Sequence, residues 1–451
     1  MASSKLPEGV FSFLDTDLYK LTMQCAVLKY FPSVDVEYKF TNRTPHMRLN
    51  QQAFAWLKAQ TAKLEHITLS QQELEYLRKH CQFLGSEYLD YLQNFQLRPS
   101  EQVQLQFTPI DGRQDGELDI TVAGRWVETI LYEIPLLALT SEAYFKFVDR
   151  DWDHAGQEEQ AYDKGMRLLG AGCVVSEFGS RRRRDFHTQD LVVKGLVRAA
   201  RENDLPGKLT GTSNVYFAMK YSIPPVGTVA HEWYMGIAAL TNDYEHANEN
   251  GLRYWLDCFG KGVLGIALTD TFGTKDFFKV FNNPVPARTS ASQDASMGYT
   301  EELSPAQKQP SFAEVFTGVR QDSGDPKEYI KAASDFYKAI GVSGKSIVFS
   351  DSLNVEKCLE YKDIAENYGF KPSFGVGTFF TNDFSCKSDP ESKSKPLNIV
   401  IKLSKAGGRP AIKISDNIGK NTGDSDTVQD VKRRLGYMEK DWKEGDEATR
   451  W

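Results

Sequence analysis

Seven short polar clusters recur between residues 176 and 380 of the chain. They are SEFGSR (176–181), GTSN (211–214), VAHEW (229–233), LTDTFGT (268–274), RQDSGD (320–325), FSDSLN (349–354) and FGVGTFF (374–380). Together they carry Glu177, His231, Asp270, Arg320, Asp322 and Asp351, and the turn Gly375-Val376-Gly377-Thr378. Asp270, Asp322 and Asp351 are of the type that holds Mg²⁺, often through water, or binds sugar hydroxyls. The free amides of a glycine-bearing turn cradle a phosphate. Arg43, Arg181, Arg320, Lys402 and Lys413 add cations at the expected ends of elements. His231 is followed by Glu232, whose carboxylate is available to orient the ring, and Phe178 beside Gly179 is available to stack on a planar ring. The bland readings are that Asp and Ser cap the helices that follow, that a lone histidine is structural, and that Phe178 belongs to the core. Capping accounts for Asp351-Ser352 or Ser323 taken singly. It does not account for Glu177, His231, Asp270, Arg320 and Asp322 arriving in the same relative place.

The elements that position these residues follow from their surroundings. Each cluster ends a short apolar run and precedes a helical stretch, at a spacing mostly of a few tens of residues. Repeated βα units of that size predict a parallel sheet, closed or nearly closed into a barrel, with the clusters converging at the carboxyl ends of its strands. The flanking segments read differently. FSFLDTDLYKLTMQCAVLKY (11–30) predicts an amphipathic helix capped at Asp15 or Thr16. VDVEYKFTNR (34–43) alternates like a half-buried strand. Ser70 with Glu73 makes a capping box, and LDITVAGRW predicts an antiparallel hairpin turning at Ala123-Gly124. After residue 380 alternation returns around Ala406-Gly407-Gly408-Arg409, a hairpin signal. The expected architecture is therefore α/β: an irregular or incomplete barrel over 141–380, and an α+β domain built from both chain ends, 1–140 and 381–451. The polar stretch 282–311 reads as a surface insertion.

In CVVSEFGSRRRRDFHTQD (173–190), four arginines follow a short strand. If a helix starts at Ser180, Arg181 to Arg184 sit at its positive end, where cations are unfavourable. Glu177 and Asp185, or a bound phosphate, would have to compensate. The alternatives are a solvated face, a nuclear address or a nucleic-acid patch.

Composition narrows the classes. The chain has 451 residues, 41% of them hydrophobic, and a net charge of −7. An acidic protein does not offer the broad basic surface of general nucleic-acid binders. The six cysteines form no C-x-x-C pair and the seven histidines show no zinc spacing, so reduced thiols and no structural zinc are expected. No signal pattern or apolar run of spanning length is present. A soluble cytoplasmic protein, with the nucleus as a further location, is the expectation.

The segments LDTDLYKLTM, VEYKFTNR, SEFGSRRRR, GTSN, GTVAHEW, LTDTFGT, VRQDSGDP, SDSLN, FGVGTFFTND and KISDN…GY occur in an order that resembles the nicotinate phosphoribosyltransferases of fungal and bacterial type. The resemblance runs from about residue 11 to the C-terminus and leaves out 282–311. It implies a type II phosphoribosyltransferase fold. The implied reaction joins nicotinate to 5-phosphoribosyl 1-pyrophosphate with ATP as co-substrate and Mg²⁺ as cofactor. His231 then matches a phosphohistidine, with Asp322 and Glu232 as catalytic partners. Phe178 and Tyr19 match the two faces of the pyridine site, with Tyr19 often coming from a neighbouring subunit. That makes a homodimer the expected state, with a monomer left open. Arg43, Arg181, Lys402 and Lys413 match phosphate or pyrophosphate ligands, and Arg320 and Asp322 lie near base and ribose. Asp270 and Asp351 match the ribose or magnesium region, with Asp322 and Asp351 as metal candidates, and Gly375, Gly377 and Thr378 match the phosphate turn. Relatives that use nicotinamide carry an acid at the position of Ser213, so Ser213 favours nicotinate. The runner-up readings are nicotinamide or quinolinate phosphoribosyltransferase and, from another class, nucleic-acid binding through Arg181 to Arg184.

Overall fold

The computed structural model describes residues 7–286, 309–417 and 420–437. Its strands, in chain order, are β1 Asp35–Asn42, β2 Leu49–Asn50, β3 Val103–Pro109, β4 Asp115–Arg125, β5 Val174–Glu177, β6 Lys208–Thr212 and β7 Ile266–Leu268. They continue with β8 Gly318–Gln321, β9 Ser346–Phe349, β10 Lys371–Val376, β11 Phe384–Ser385, β12 Lys393–Ser394, β13 Ile399–Ala406 and β14 Arg409–Pro410.

The antiparallel sheet runs β14-β13-β1-β4-β2, with β3 on β4. Its centre is β1, whose burial alternates along the strand as the period-2 sequence requires. Segments from the two chain ends pair here: Asn42 lies opposite Ile399 and Lys39 opposite Lys402. The parallel sheet runs β6-β5-β10-β9-β8-β7. Each of its strands leads to a helix, as in Gln321 to Pro326–Ala339 and Phe349 to Val355–Asn367. The caps of those helices are Asn214, Asp325 and Asn354. These belong to the recurring clusters but are not the residues singled out for chemistry, which are thereby left free for other partners.

The sheet does not close by a strand. Between β6 and β7 runs the segment 224–230. Thr212 donates its amide to Pro224, and Val226 donates to Thr212 at 2.9 Å. On the far side Thr228 Oγ1 contacts the Ile266 carbonyl at 3.4 Å. The result is the incomplete barrel that the βα rhythm predicts, sealed by a non-strand seam.

Five local expectations are corrected. VAHEW ends no strand; it is the exit of the seam, and His231 is the first residue of the helix His231–Thr241. No turn occurs at Ala123-Gly124, because β4 continues to Arg125 and the reversal lies between Pro109 and Gly116. The first helix, Leu18–Tyr30, starts after Asp17, which makes no side-chain cap, and is buried from Leu18 through Val27 rather than on one face. The arginines precede a helix instead of opening one: Ser180–Arg182 is a single 3₁₀ turn, and Asp185 caps the helix Phe186–Glu202. The helix Glu133–Phe147 runs straight across residue 140, so no break in the chain falls there. The capping box at Ser70 and Glu73 is formed, and Ala406 pairs with Arg409 across its hairpin. Of the stretch 282–311, residues 287–308 lie outside the described residues; at its base Pro284 bridges to Ser311.

Candidate active site

A cavity of about 730 Å³ opens at the carboxyl ends of the parallel strands and reaches the antiparallel sheet. Tyr19, Phe178, Arg181, His231, Glu232, Arg320, Asp322, Gly375, Gly377, Thr378 and Lys402 all border it. The site is thus assembled from the first helix, the ends of β5, β8 and β10, the seam and β13. Tyr19 and Phe178 line the same cavity within one chain, so Tyr19 needs no neighbouring subunit to reach it. Phe178 is seated by β10: its amide donates to Val376 at 2.8 Å, and a Cβ on Gly375 would stand 3.2 Å from its ring. Glycine at 375 therefore makes room for the aromatic side chain.

His231 is the electrostatic centre. Its Nδ1 lies 3.0 Å from Thr271 Oγ1. Its Nε2 lies 2.8 Å from Asp322 Oδ2 and 2.8 Å from Lys413 Nζ. An ammonium can only donate and a carboxylate only accept, so the two contacts compete for one nitrogen. Burial and the Lys413 charge hold the imidazole down at about 4. At neutral pH it is uncharged, and Lys413 donates to the Nε2 lone pair. Asp322 resists burial: Arg320, its second Nη 3.7 Å away, and His231 keep it well below the usual carboxylate range. Lys402, half-buried, is pushed down to about 7 by burial, with Glu133 opposing that shift and Arg181 reinforcing it.

Other expected residues stand behind this wall. Asp270, 1% exposed, accepts from Ser323 and pairs with Lys413 at 3.2 Å. Asp351 pairs with Lys420 at 2.5 Å. Ser213 is fully buried and donates to Asp17 at 2.8 Å. Arg43, whose amide donates to Asn398, does not border the cavity. Glu232 does not orient His231. Its carboxylate takes Lys20 at 2.5 Å, Trp126 Nε1 at 2.8 Å and the Tyr38 hydroxyl, and the ring is oriented by Thr271 instead.

Among the described residues, His231, Asp270 and Asp322 bring metal-ligand atoms within 4.8 Å of one another. Lys413 already supplies the positive charge of that cluster. Of the three aspartates, Asp322 alone turns toward the cavity, and it is the one suited to a Mg²⁺ ion arriving with a phosphorylated substrate. Asp351, the other carboxylate of the pair expected from sequence, is engaged by Lys420, whose Nζ also lies 3.4 Å from the Asp322 carbonyl.

The arginine run divides as well. Arg181 faces the cavity, 40% exposed, 3.6 Å from Glu133. Arg182 donates to the Ile399 carbonyl. Arg183 makes a two-pronged pair with Asp15 at 2.7 and 2.6 Å, both side chains 1% exposed. Arg184, wholly buried, lies over Phe145 and Phe384 and donates to Ser394. Asp185 compensates Arg183 and Arg184 in part through its charge, whereas the carboxylate that closes on Arg183 is Asp15. Glu177 accepts from Thr212, Gly179 and Gln189, and Asp185 meets His154 and Thr188. Three of the four arginines are interior and unavailable to a polynucleotide.

Sequence reasoning missed Lys20, Glu133, Thr271 and Asp17. Lys20 is completely buried between Glu133 and Glu232, 2.5 Å from each. The available signal was a lysine between Tyr19 and Leu21 in the first turn of a helix rich in apolar residues.

Fold and site define a barrel enzyme whose cavity is lined by cations and carboxylates, with a neutral imidazole at its wall. Comparison with known proteins sharpens this. The model of the nicotinate phosphoribosyltransferase family matches residues 173–439, and that of its N-terminal domain matches 14–141. The chain is 48% identical to a probable nicotinate phosphoribosyltransferase of Schizosaccharomyces pombe, over 95% of this chain and 98% of that one. It is 47% identical to the nicotinate phosphoribosyltransferase of Saccharomyces cerevisiae, over 98% of each. The crystal structure of the Porphyromonas gingivalis nicotinate phosphoribosyltransferase superposes with a TM-score of 0.79 at 31% identity, covering 95% of this chain and all of that one. A structure from S. cerevisiae superposes at 0.88 and 46% identity, covering 96% and 100%. The chain belongs to the nicotinate phosphoribosyltransferase family.

Proposed function

We propose that the protein transfers the 5-phosphoribosyl group of phosphoribosyl pyrophosphate to nicotinate, giving nicotinate mononucleotide and pyrophosphate, a salvage step toward NAD. ATP hydrolysis is coupled to the transfer. The observation that carries the reading is His231 Nε2, uncharged at neutral pH and held between Lys413 and Asp322 at the cavity wall.

In the first step Lys413 gives up its hydrogen bond to Nε2, and the freed lone pair attacks the γ-phosphorus of ATP. The bond to the β-phosphate oxygen breaks, ADP leaves, and the phosphoryl group rests on His231. In the transfer step the C1–oxygen bond of the ribose breaks and pyrophosphate leaves with the electron pair. The ring nitrogen of nicotinate forms the new C1–N bond, and water later releases phosphate from His231. Positive charge develops on the ribose, so Asp322 stabilises the transition state while Arg181, Lys402 and Lys413 receive the leaving group. Mg²⁺, when bound with the pyrophosphate, would meet Asp322 and neutralise charge on the leaving oxygens. Tyr19 and Phe178 take the two faces of the pyridine ring, and Arg320, whose Nε lacks a hydrogen-bond partner, is the cation for its carboxylate. Ser213, fully buried and bonded to Asp17, does not border the cavity. The turn Gly375-Gly377-Thr378 receives the 5-phosphate.

The test is product analysis with nicotinate, nicotinamide and quinolinate in turn, with phosphoribosyl pyrophosphate and Mg²⁺, with and without ATP. Nicotinate mononucleotide, made faster with ATP, is expected; preferential turnover of either other pyridine overturns the substrate assignment. With γ-labelled ATP, the wild type should acquire acid-labile label and His231→Ala should not, while slow ATP-independent transfer persists. Label retained by His231→Ala removes the phosphohistidine.

A further inference from the structure

Lys164 lies in the helix Gln157–Gly170, outside every segment singled out from the sequence. Its side chain is 8% exposed, yet the residue borders the cavity. The ammonium stands 2.9 Å from Asp383 Oδ2, 3.3 Å from the Phe379 carbonyl and 4.3 Å from the centre of the Phe379 ring. Phe379 follows Thr378, so the charge sits beside the glycine turn at the end of β10. Lys393 Nζ reaches the other oxygen of Asp383 at 2.6 Å. Two ammoniums share one carboxylate, Lys164 inside this corner and Lys393, 46% exposed, at its rim, so the buried ammonium has only part of a counter-ion. Burial holds Lys164 below its ordinary range although Asp383 opposes the shift, the direction expected of a cation not fully compensated. A buried charge without its counter-ion is costly, and a phosphate monoester carrying about −1.5 to −2 charges supplies what is missing.

We propose that Lys164 binds the 5-phosphate of the phosphoribosyl substrate against the Gly377-Thr378 turn, in competition with Asp383. The substrate then spans the cavity, its 5-phosphate at Lys164 and its pyrophosphate at Arg181, Lys402 and Lys413. This rests on the reading of the site given above and adds a ligand from an element that carries none of its motifs.

The experiment compares two anions on the full chain. Ribose 5-phosphate has the 5-phosphate alone; inorganic pyrophosphate has only the leaving group. In Lys164→Met the inhibition constant of ribose 5-phosphate and the KM for phosphoribosyl pyrophosphate should both rise tenfold or more. Inhibition by pyrophosphate should stay within about twofold, and Lys164→Arg should recover most of the loss. A helix merely tied down by Lys164 would weaken both anions together or neither, and either result overturns the proposal. Asp383→Asn gives a second measurement. It removes the competing carboxylate, so ribose 5-phosphate should bind as well or better; a tenfold loss counts against the assignment. If the wild type makes no nicotinate mononucleotide at all, the underlying reading fails instead, which is distinguishable from an active wild type indifferent to Lys164→Met.

Discussion

At the scale of the residue, the four consecutive arginines have unlike fates. Arg183 and Asp15 form an interior ion pair, so removing one partner strands the other's charge. Arg183→Met should cost about 3–5 kcal/mol of stability, read by urea unfolding. Arg181→Ala, at a site 40% exposed, should cost no more than ~1 kcal/mol and instead raise KM for phosphoribosyl pyrophosphate. Equal losses of stability in the two variants would contradict this division. The sequence showed the charges and the need for a counter-charge but not its source, because Asp15 is 168 positions away from Arg183. The same distance hides Glu232: next to His231 in the chain, it turns to Lys20, 212 positions away. Chain adjacency predicts contact poorly at a helix start, where successive side chains point about 100° apart.

Among the elements, what was legible is what is local. The Ser70–Glu73 box and the Ala406–Arg409 hairpin are formed by residues a few positions apart, and the βα rhythm marks the strands of the barrel. The seam was not legible. An apolar stretch such as VGTVA looks the same whether it pairs as a strand or crosses a gap, and only the neighbours decide. Its closure hangs on Gly211, whose φ is +145° and whose position would put a Cβ 1.9 Å from the Pro224 carbonyl oxygen. Gly211→Ala should therefore push the seam off β6, costing about 2–4 kcal/mol. It should also lower kcat, because His231 leaves the seam at its far end. Unchanged unfolding and unchanged kcat would show that the seam is not anchored there.

Over the whole molecule, buried titratable groups tie stability to pH. Glu142, 5% exposed, accepts the Gly9 amide at 3.0 Å. Burial, with Asp185 adding to it, raises its carboxyl from 4.5 to about 8. The folded protein therefore binds a proton there that the unfolded chain releases near pH 4.5. The stability this contributes is full below about pH 4.5, falls as pH rises, and is gone above about pH 8. Glu142→Gln keeps an acceptor for Gly9 and has no proton to lose. Its Tm should exceed that of the wild type by a margin that widens from pH 5 to pH 8 and then levels off. A constant margin would place the pH dependence elsewhere.

The central position of β1 in the antiparallel sheet has a consequence for the order in which the protein is made. Glu37 and its neighbour Ser404 on β13 are 367 positions apart. At about 5–20 residues per second of synthesis, β1 emerges from the ribosome roughly 20–70 s before the strand that covers its outer edge. During that interval the edge beside β4 is paired and the other is open, with the whole barrel still to be translated. The N-terminal segment cannot reach its final state alone, and a chain cut off before β13 leaves that edge bare, a template for pairing with other chains. Truncated products should accumulate in aggregates rather than as a smaller folded protein.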